Sequence, residues 1–232
     1  MITVFCYHSI SFDEKDIYAV DPITFDYQIR LLKTRYEFID IKRFQEMSKL
    51  GELPSRNYAL MTFDDGFEDF LLNAYPILSK HQVSVTMFLP VDLLGKELFG
   101  KKVMTHGQLE LLSRDALITF GSHALHHERL EELDSAALHR SINESRSKLF
   151  DLKISSIDAF AYPFGSHTSE VDKVALEAYK LVFGTDGHII HKFGLVYPRL
   201  IMSKNVTYPK LLLHSLPAFA NFWQQRRAAA RV

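Results

Sequence analysis

Cysteine is almost absent from this chain: Cys6 is the only one in 232 residues, so no intrachain disulfide can form and nothing asks for an oxidising compartment. Lying in an apolar segment, Cys6 reads as core packing. No stretch reaches the run of about 18 apolar residues that a membrane-spanning helix needs. The N-terminus has no basic region ahead of its apolar stretch and no small-residue cleavage site behind it, which argues against a signal peptide. From these absences the expected location is cytoplasmic for the chain as it stands, or else peripheral to the inner membrane. An excess of charge is missing too: 27 basic residues against 28 acidic ones leave a net of -1 and no field that would gather nucleic acid or an anionic membrane. A neutral substrate fits that balance. Neither an internal repeat nor a low-complexity linker divides the sequence, so residues 1–232, 47% of them hydrophobic, are expected to form a single domain around one large core.

What the chain does have is an apolar run, Tyr58-Ala59-Leu60-Met61-Thr62-Phe63, that ends in Asp64-Asp65-Gly66. It reads as a buried parallel strand delivering two carboxylates to its tip, with a glycine that permits a sharp exit. Side chains alternate along a strand, so Asp64 and Asp65 are expected to point in different directions, one able to bind a cation and the other free to act as a base. A first strand over 2–7 carries His8 at its tip. Asp21-Pro22 starts a helix, a short strand follows over 37–39, and a second helix over 41–50 stops at Gly51. After Gly66 comes an amphipathic helix kinked or broken at Pro76, then a strand over 83–89. Residues 91–105 have no sustained period and read as an excursion over the top of the sheet, a wall of the site.

Further on, a short helix over 108–112, a strand over 117–120, a helix from Asp134 to about Leu149 and a strand over 159–162 follow in turn. A helix over 169–179, strands over 181–183 and 196–202 and a C-terminal helix from Pro209 complete the count. Such alternation, with polar residues at strand tips, predicts a (β/α) barrel whose chemistry gathers at the C-terminal face of its strands.

His123 and His127 lie four apart, and one helical turn would put both on the same face, close enough to share a cation. Paired histidines are often only a solvated surface. This pair, however, sits at the end of a predicted strand as Asp65 does. Two imidazoles and a carboxylate with open positions form the ligand set of hydrolytic zinc sites. His126, beside them, is expected to face away.

These residues resemble a family, the carbohydrate esterases called polysaccharide deacetylases or the NodB-homology group. Thr62-Phe63-Asp64-Asp65-Gly66 looks like its first motif, TFDDG; His123-Ala124-Leu125-His126-His127 resembles H-[ST]-x-x-H; Pro163-Phe164-Gly165 resembles the end of R-x-P-[YF]-G. The likeness runs over nearly the whole chain. It implies a distorted (β/α)7-type barrel, Asp65, His123 and His127 as metal ligands, Asp64 as catalytic base, and a divalent metal, zinc first, as cofactor. Pro163, Phe164, Gly165 and Arg199 make up the substrate-binding set. Two departures stand out: Ala124 replaces a serine or threonine, and Ala161 stands where the third motif has an arginine that pairs with the catalytic aspartate. Arg199 is the candidate to orient Asp64 instead, with a surface salt bridge as the plain alternative.

The general acid has two candidates. Leu212-Leu213-His214 matches the family's last motif, but Leu211, His214, Ala218 and Phe222 fall on a helical period. Val4-Phe5-Cys6-Tyr7-His8 resembles the opening strand of the branch that deacetylates poly-N-acetylglucosamine, and His8 is preferred on that ground. The reading is thus a metal-dependent de-N-acetylase acting on an N-acetylated sugar or glycan. A hydrolase of non-sugar, cyclic amides on the same barrel and a catalytically silent carbohydrate-binding barrel are the alternatives.

Overall fold

The computed structural model describes residues 1–51, 53–154, 158–185 and 189–206, so the expected C-terminal helix and His214 lie outside the described residues. The apolar runs become the strands of one ten-stranded sheet. In chain order these are β1 (Ile2–Tyr7), β2 (Glu37–Ile39), β3 (Tyr58–Phe63), β4 (Val85–Leu89), β5 (Ile118–Ser122), β6 (Ala159–Ala161), β7 (Leu181–Phe183), β8 (Ile189–Ile190), β9 (Val196–Tyr197) and β10 (Leu200–Ile201). The strands run β8-β1-β3-β4-β5-β6-β7-β9, with β2 on the first half of β3 and β10 on β1. Only Pro198-Arg199 separates β9 from β10, so the chain itself carries the sheet back to β1. The result is a nearly closed barrel, parallel except where β8 meets β1.

Six α-helices accompany the sheet among the described residues: α1 (Pro22–Lys33), α2 (Ile41–Leu50), α3 (Tyr75–His81), α4 (His106–Leu112), α5 (Ser135–Asp151) and α6 (Ser169–Ala178). Their starts are set by side-chain caps. Asp21, Asp40, Thr105, Asp134 and Thr168 each accept from a backbone N–H three residues on, satisfying a donor that the first helical turn leaves open. None of the helices among the described residues is long and apolar enough to cross a membrane.

The period of two along the strands decides what faces inward. Ile2 and Val4 of β1, Leu60 of β3, Phe88 of β4, Ala159 and Ala161 of β6 and Phe183 of β7 share one buried cluster, which the apolar face of α2, Ile41, Phe44 and Met47, joins. The residues between them, Phe5 and Tyr7, Met61 and Phe63, Met87 and Leu89, pack instead with Phe25 and Ile29 of α1 and Leu78 of α3. Each such large side chain contributes roughly 1.5–3 kcal/mol on burial. Continuing the inward parity past the strand ends brings His8, Asp64 and His123 to the same face at the C-terminal mouth.

Three details differ from the sequence expectation. The helix after Gly66 opens with a π-helical turn, Phe70–Ala74, and only then becomes α3, because Pro76 has no N–H for the ladder and the Tyr75 N–H reaches back to Phe70. The last strand is split at Pro198-Arg199 into β9 and β10. Residues 91–105 contain a small ribbon, Glu97–Leu98 against Lys101–Lys102, whose tip is Phe99-Gly100.

Candidate active site

Asp64 follows β3, its N–H donating to the Tyr7 carbonyl at 2.9 Å, so the ladder with β1 still holds where the carboxylate projects. Arg199 grips that carboxylate with both ends of its guanidinium: Nη1 donates to Oδ1 at 2.6 Å and Nη2 to Oδ2 at 2.8 Å. This two-point fork is the strongest geometry available to the pair. Arg199 itself is 1% exposed, lies over the Phe88 ring at 5.4 Å and also donates to the Gly184 carbonyl and Thr62 Oγ1. The plain alternative of a surface salt bridge is therefore overturned: Arg199 is buried beneath Asp64 and is not among the residues that line the cleft. Ala161 is fully buried where the third motif would set an arginine, and the guanidinium arrives from the β9–β10 link instead. Burial alone would raise the Asp64 carboxyl, but Arg199 and the nearby imidazoles hold it far below the usual carboxylate range.

Asp65 behaves differently. It lies beyond the strand end with φ 69°, so alternation no longer governs it, and both carboxylates approach the same ring: His123 Nε2 is 3.8 Å from Asp64 Oδ2 and 3.7 Å from Asp65 Oδ1. The expectation that the two aspartates diverge fails for that reason. Glycine suits position 66 next to it, since φ is 65° and a Cβ would sit 2.5 Å from Leu89 Cδ2, which would have to give way. Burial would raise the Asp65 carboxyl, but His127 Nε2, 3.2 Å from Oδ1, and the neighbouring imidazoles hold it below its usual range; the His127 approach is nonetheless outside good hydrogen-bond geometry, so that buried oxygen has no well-formed hydrogen bond.

His123 Nδ1 lies 2.7 Å from the Ala161 carbonyl, which can only accept, so the proton is on Nδ1 and the Nε2 lone pair faces Asp65. Burial lowers His123 to about 4, which keeps the ring neutral. A lone pair facing a carboxylate oxygen is repulsive unless a cation lies between them. The donor atoms of Asp65, His123 and His127 all fall within 4.8 Å of one another, so these residues fit a divalent ion.

The two histidines do not meet through a helical turn. Residues 124–127 form a tight turn in which Ala124 and His127 both have positive φ, 65° and 56°. The turn is pinned by Val91 and Asp92, whose N–H groups donate to the Ala124 and Leu125 carbonyls. His126 points out, 56% exposed at its side chain and 3.6 Å from Asp92.

A cleft of about 560 Å³ opens over these groups, with His8, Asp64, Asp65 and His127 on its floor. His8 Nε2 is 4.0 Å from Asp64 Oδ2, and the ring leans on Tyr18 with centroids 5.0 Å apart. Phe164 and Gly165 line the cleft, while Pro163 is buried behind them and opens the short turn Pro163–Gly165. Phe164 packs on His127 at 4.5 Å and carries the Arg129 guanidinium on its ring at 4.6 Å. Phe99, from the tip of the ribbon, closes on His127 from the other side at 5.3 Å. Sequence reasoning named none of Tyr18, Phe99 and Lys101, which also line the cleft; the one signal was the aperiodic stretch over 91–105. Five of the seven non-glycine residues with positive φ among the described residues, Asp65, Phe99, Ala124, His127 and Phe164, belong to this site. Backbone strain of that kind persists where the surroundings over-determine it.

A family model described as polysaccharide deacetylase matches residues 52–180. A poly-beta-1,6-N-acetyl-D-glucosamine N-deacetylase from Staphylococcus aureus is 29% identical over 171 residues, covering 69% of this chain and 59% of its own length, so the chain spans about three-fifths of that relative. Among solved structures, IcaB from Ammonifex degensii superposes with a TM-score of 0.79 over 92% of this chain and 96% of its own, at 20% identity, a likeness of fold. The Streptococcus pyogenes deacetylase PplD, solved in complex with acetate, gives 0.78 over 93% and 98%, at 25% identity.

Proposed function

The chain belongs to the polysaccharide deacetylase family, and on that premise we propose that it is a metal-dependent de-N-acetylase, hydrolysing the acetamido group of an N-acetylated sugar in a polysaccharide or glycoconjugate. The observation that carries the proposal is the contrast at one strand tip: Asp64 has both oxygens engaged by Arg199, and Asp65 has an oxygen with no partner facing two imidazoles. The name of the Staphylococcus aureus relative supports a poly-N-acetylglucosamine type of substrate, and the aromatic rings of Tyr18, Phe99 and Phe164 along the cleft suit sugar faces.

Asp65, His123 and His127 would hold the ion. A divalent cation held there, zinc first by its donor set, would supply Lewis-acid polarisation of the amide carbonyl and activation of water. Asp64, kept charged and fixed in direction by Arg199, accepts the proton that the attacking water gives up. His8, on the cleft floor 4.0 Å from Asp64, donates a proton to the nitrogen as the C–N bond breaks, so that an amine and not an amide anion leaves. Arg199, itself bonded to Thr62, and Cys6 engage Asp64 from the protein side, which leaves the cleft as its approach to substrate.

The test is acetate release by the full chain from oligomers of N-acetylglucosamine, with and without a chelator. Zinc-dependent release that disappears in Asp64→Asn is the expected result. Release that survives complete metal removal, or that is the same in Asp64→Asn as in the wild type, would contradict it.

A further inference from the structure

Cys6 takes no chemical step in the reading above, yet its surroundings are not those of a packing residue. Parallel pairing sets Cys6 opposite Thr62, so its inward side chain lies beside Asp64, and the thiol donates a 3.4 Å hydrogen bond to Asp64 Oδ2. His8 Nε2 approaches that same oxygen from the cleft side. A sulfur, an imidazole nitrogen and a carboxylate oxygen thus lie within 4.8 Å of one another. Ligand atoms on one tetrahedral ion are roughly 3–4 Å apart, so small side-chain shifts would turn this group into a ligand set.

We propose that Cys6, His8 and Asp64 form a second, inhibitory site for a thiophilic divalent cation such as Cd2+ or excess Zn2+, separate from the Asp65, His123 and His127 group. Thiolate with imidazole selects borderline and soft ions over Mg2+ and Ca2+, which prefer all-oxygen shells. On binding, the S–H bond breaks, a sulfur–metal bond forms and the proton leaves to solvent, with no change of oxidation state. The Arg199 guanidinium beneath Asp64 offsets the second negative charge that the thiolate adds. Two dications held around neighbouring aspartates repel one another, so the second ion binds more weakly than the first. Its consequence rests on the proposed roles of Asp64 and His8: one ion would occupy base and acid together.

The experiment titrates Cd2+ into the full chain and follows the cadmium–thiolate charge-transfer band in the ultraviolet, with bound metal counted after equilibrium dialysis. Because Cys6 is the sole cysteine, any such band belongs to it. Two ions per chain are expected, the band rising with the second and inhibition of acetate release tracking the band. Cys6→Ser should remove the band, return the count to one and raise the half-inhibiting Cd2+ concentration by at least about tenfold. Asp65→Asn, which takes a ligand from the first site only, should keep the band. Cys6→Ala, with no hydroxyl to bury, repeats the comparison should the serine variant melt early. One bound ion with no thiolate band, or inhibition unchanged in both Cys6 variants, overturns the proposal. The band and the count need no turnover, so a chain inactive as a deacetylase would fail the functional reading while still deciding this one.

Discussion

The two sides of the strand tip after β3 invite comparison, because they begin from the same residue type one position apart. Asp64 is surrounded by donors: two from Arg199 and one from Cys6. Asp65 is as buried and meets imidazole nitrogens with an oxygen that has no hydrogen-bond partner. The first arrangement keeps a carboxylate ionised in a place where burial would neutralise it. The second is unfavourable as it stands and becomes favourable with a cation in it. Side-chain type therefore says less about role here than the balance of donors and acceptors around it does.

The most damaging way to break the comparison is on the Asp65 side. His127→Ala should strip the bound ion and reduce turnover to background, a loss of at least about 100-fold in metal affinity, whereas His126→Ala, exposed and paired with Asp92, should do neither. Metal analysis after dialysis checks both.

On the Asp64 side, Arg199→Met leaves a buried carboxylate without its partner and should cost about 3–5 kcal/mol of stability, read by denaturant unfolding. The pH dependence has a definite sign. Asp64 is held below its unfolded value of about 3.9, so the pairing contributes fully above that value and its contribution fades as pH falls through the depressed native one. The stability gap between wild type and Arg199→Met should accordingly narrow on acidification below about pH 4.

The His8 contribution sharpens the picture on a smaller scale. His8→Ala should slow acetamide hydrolysis by about 10²-fold and spare an activated acetate ester, whose leaving group needs no proton, with metal content unchanged. Equal losses on both substrates would place the acid elsewhere, and His214, outside the described residues, would be the next to vary.

How much of this was legible beforehand follows from what each feature depends on. The strands over 58–63 and 181–183 and the helix over 41–50 match the structure because apolar runs and a glycine stop are local signals. The barrel followed from their alternation. The carboxylate pair and the histidine pair were visible because each falls within one short stretch of sequence, Asp64 next to Asp65 and His123 four residues from His127. Arg199 could be named only as a candidate, since 135 residues separate it from Asp64 and only closure of the sheet brings them together. What stayed hidden depends on backbone twists with no residue-type mark: Asp65, Ala124 and His127 adopt positive φ without being glycine, so neither strand alternation nor helical spacing described them. Cys6 read as packing because its contact with Asp64 exists only once β1 and β3 are in register. Phe99 came from a stretch with no period at all.

The central claim, that adjacent aspartates divide metal binding from proton transfer, is tested most directly by Asp64→Asn and Asp65→Asn measured side by side for bound metal and for turnover. The account predicts near-normal metal and a 10²–10⁴-fold loss of turnover, on the order expected for a general base, in Asp64→Asn, and weakened metal binding in Asp65→Asn. Equal metal loss in both variants, or metal loss confined to Asp64→Asn, would contradict it.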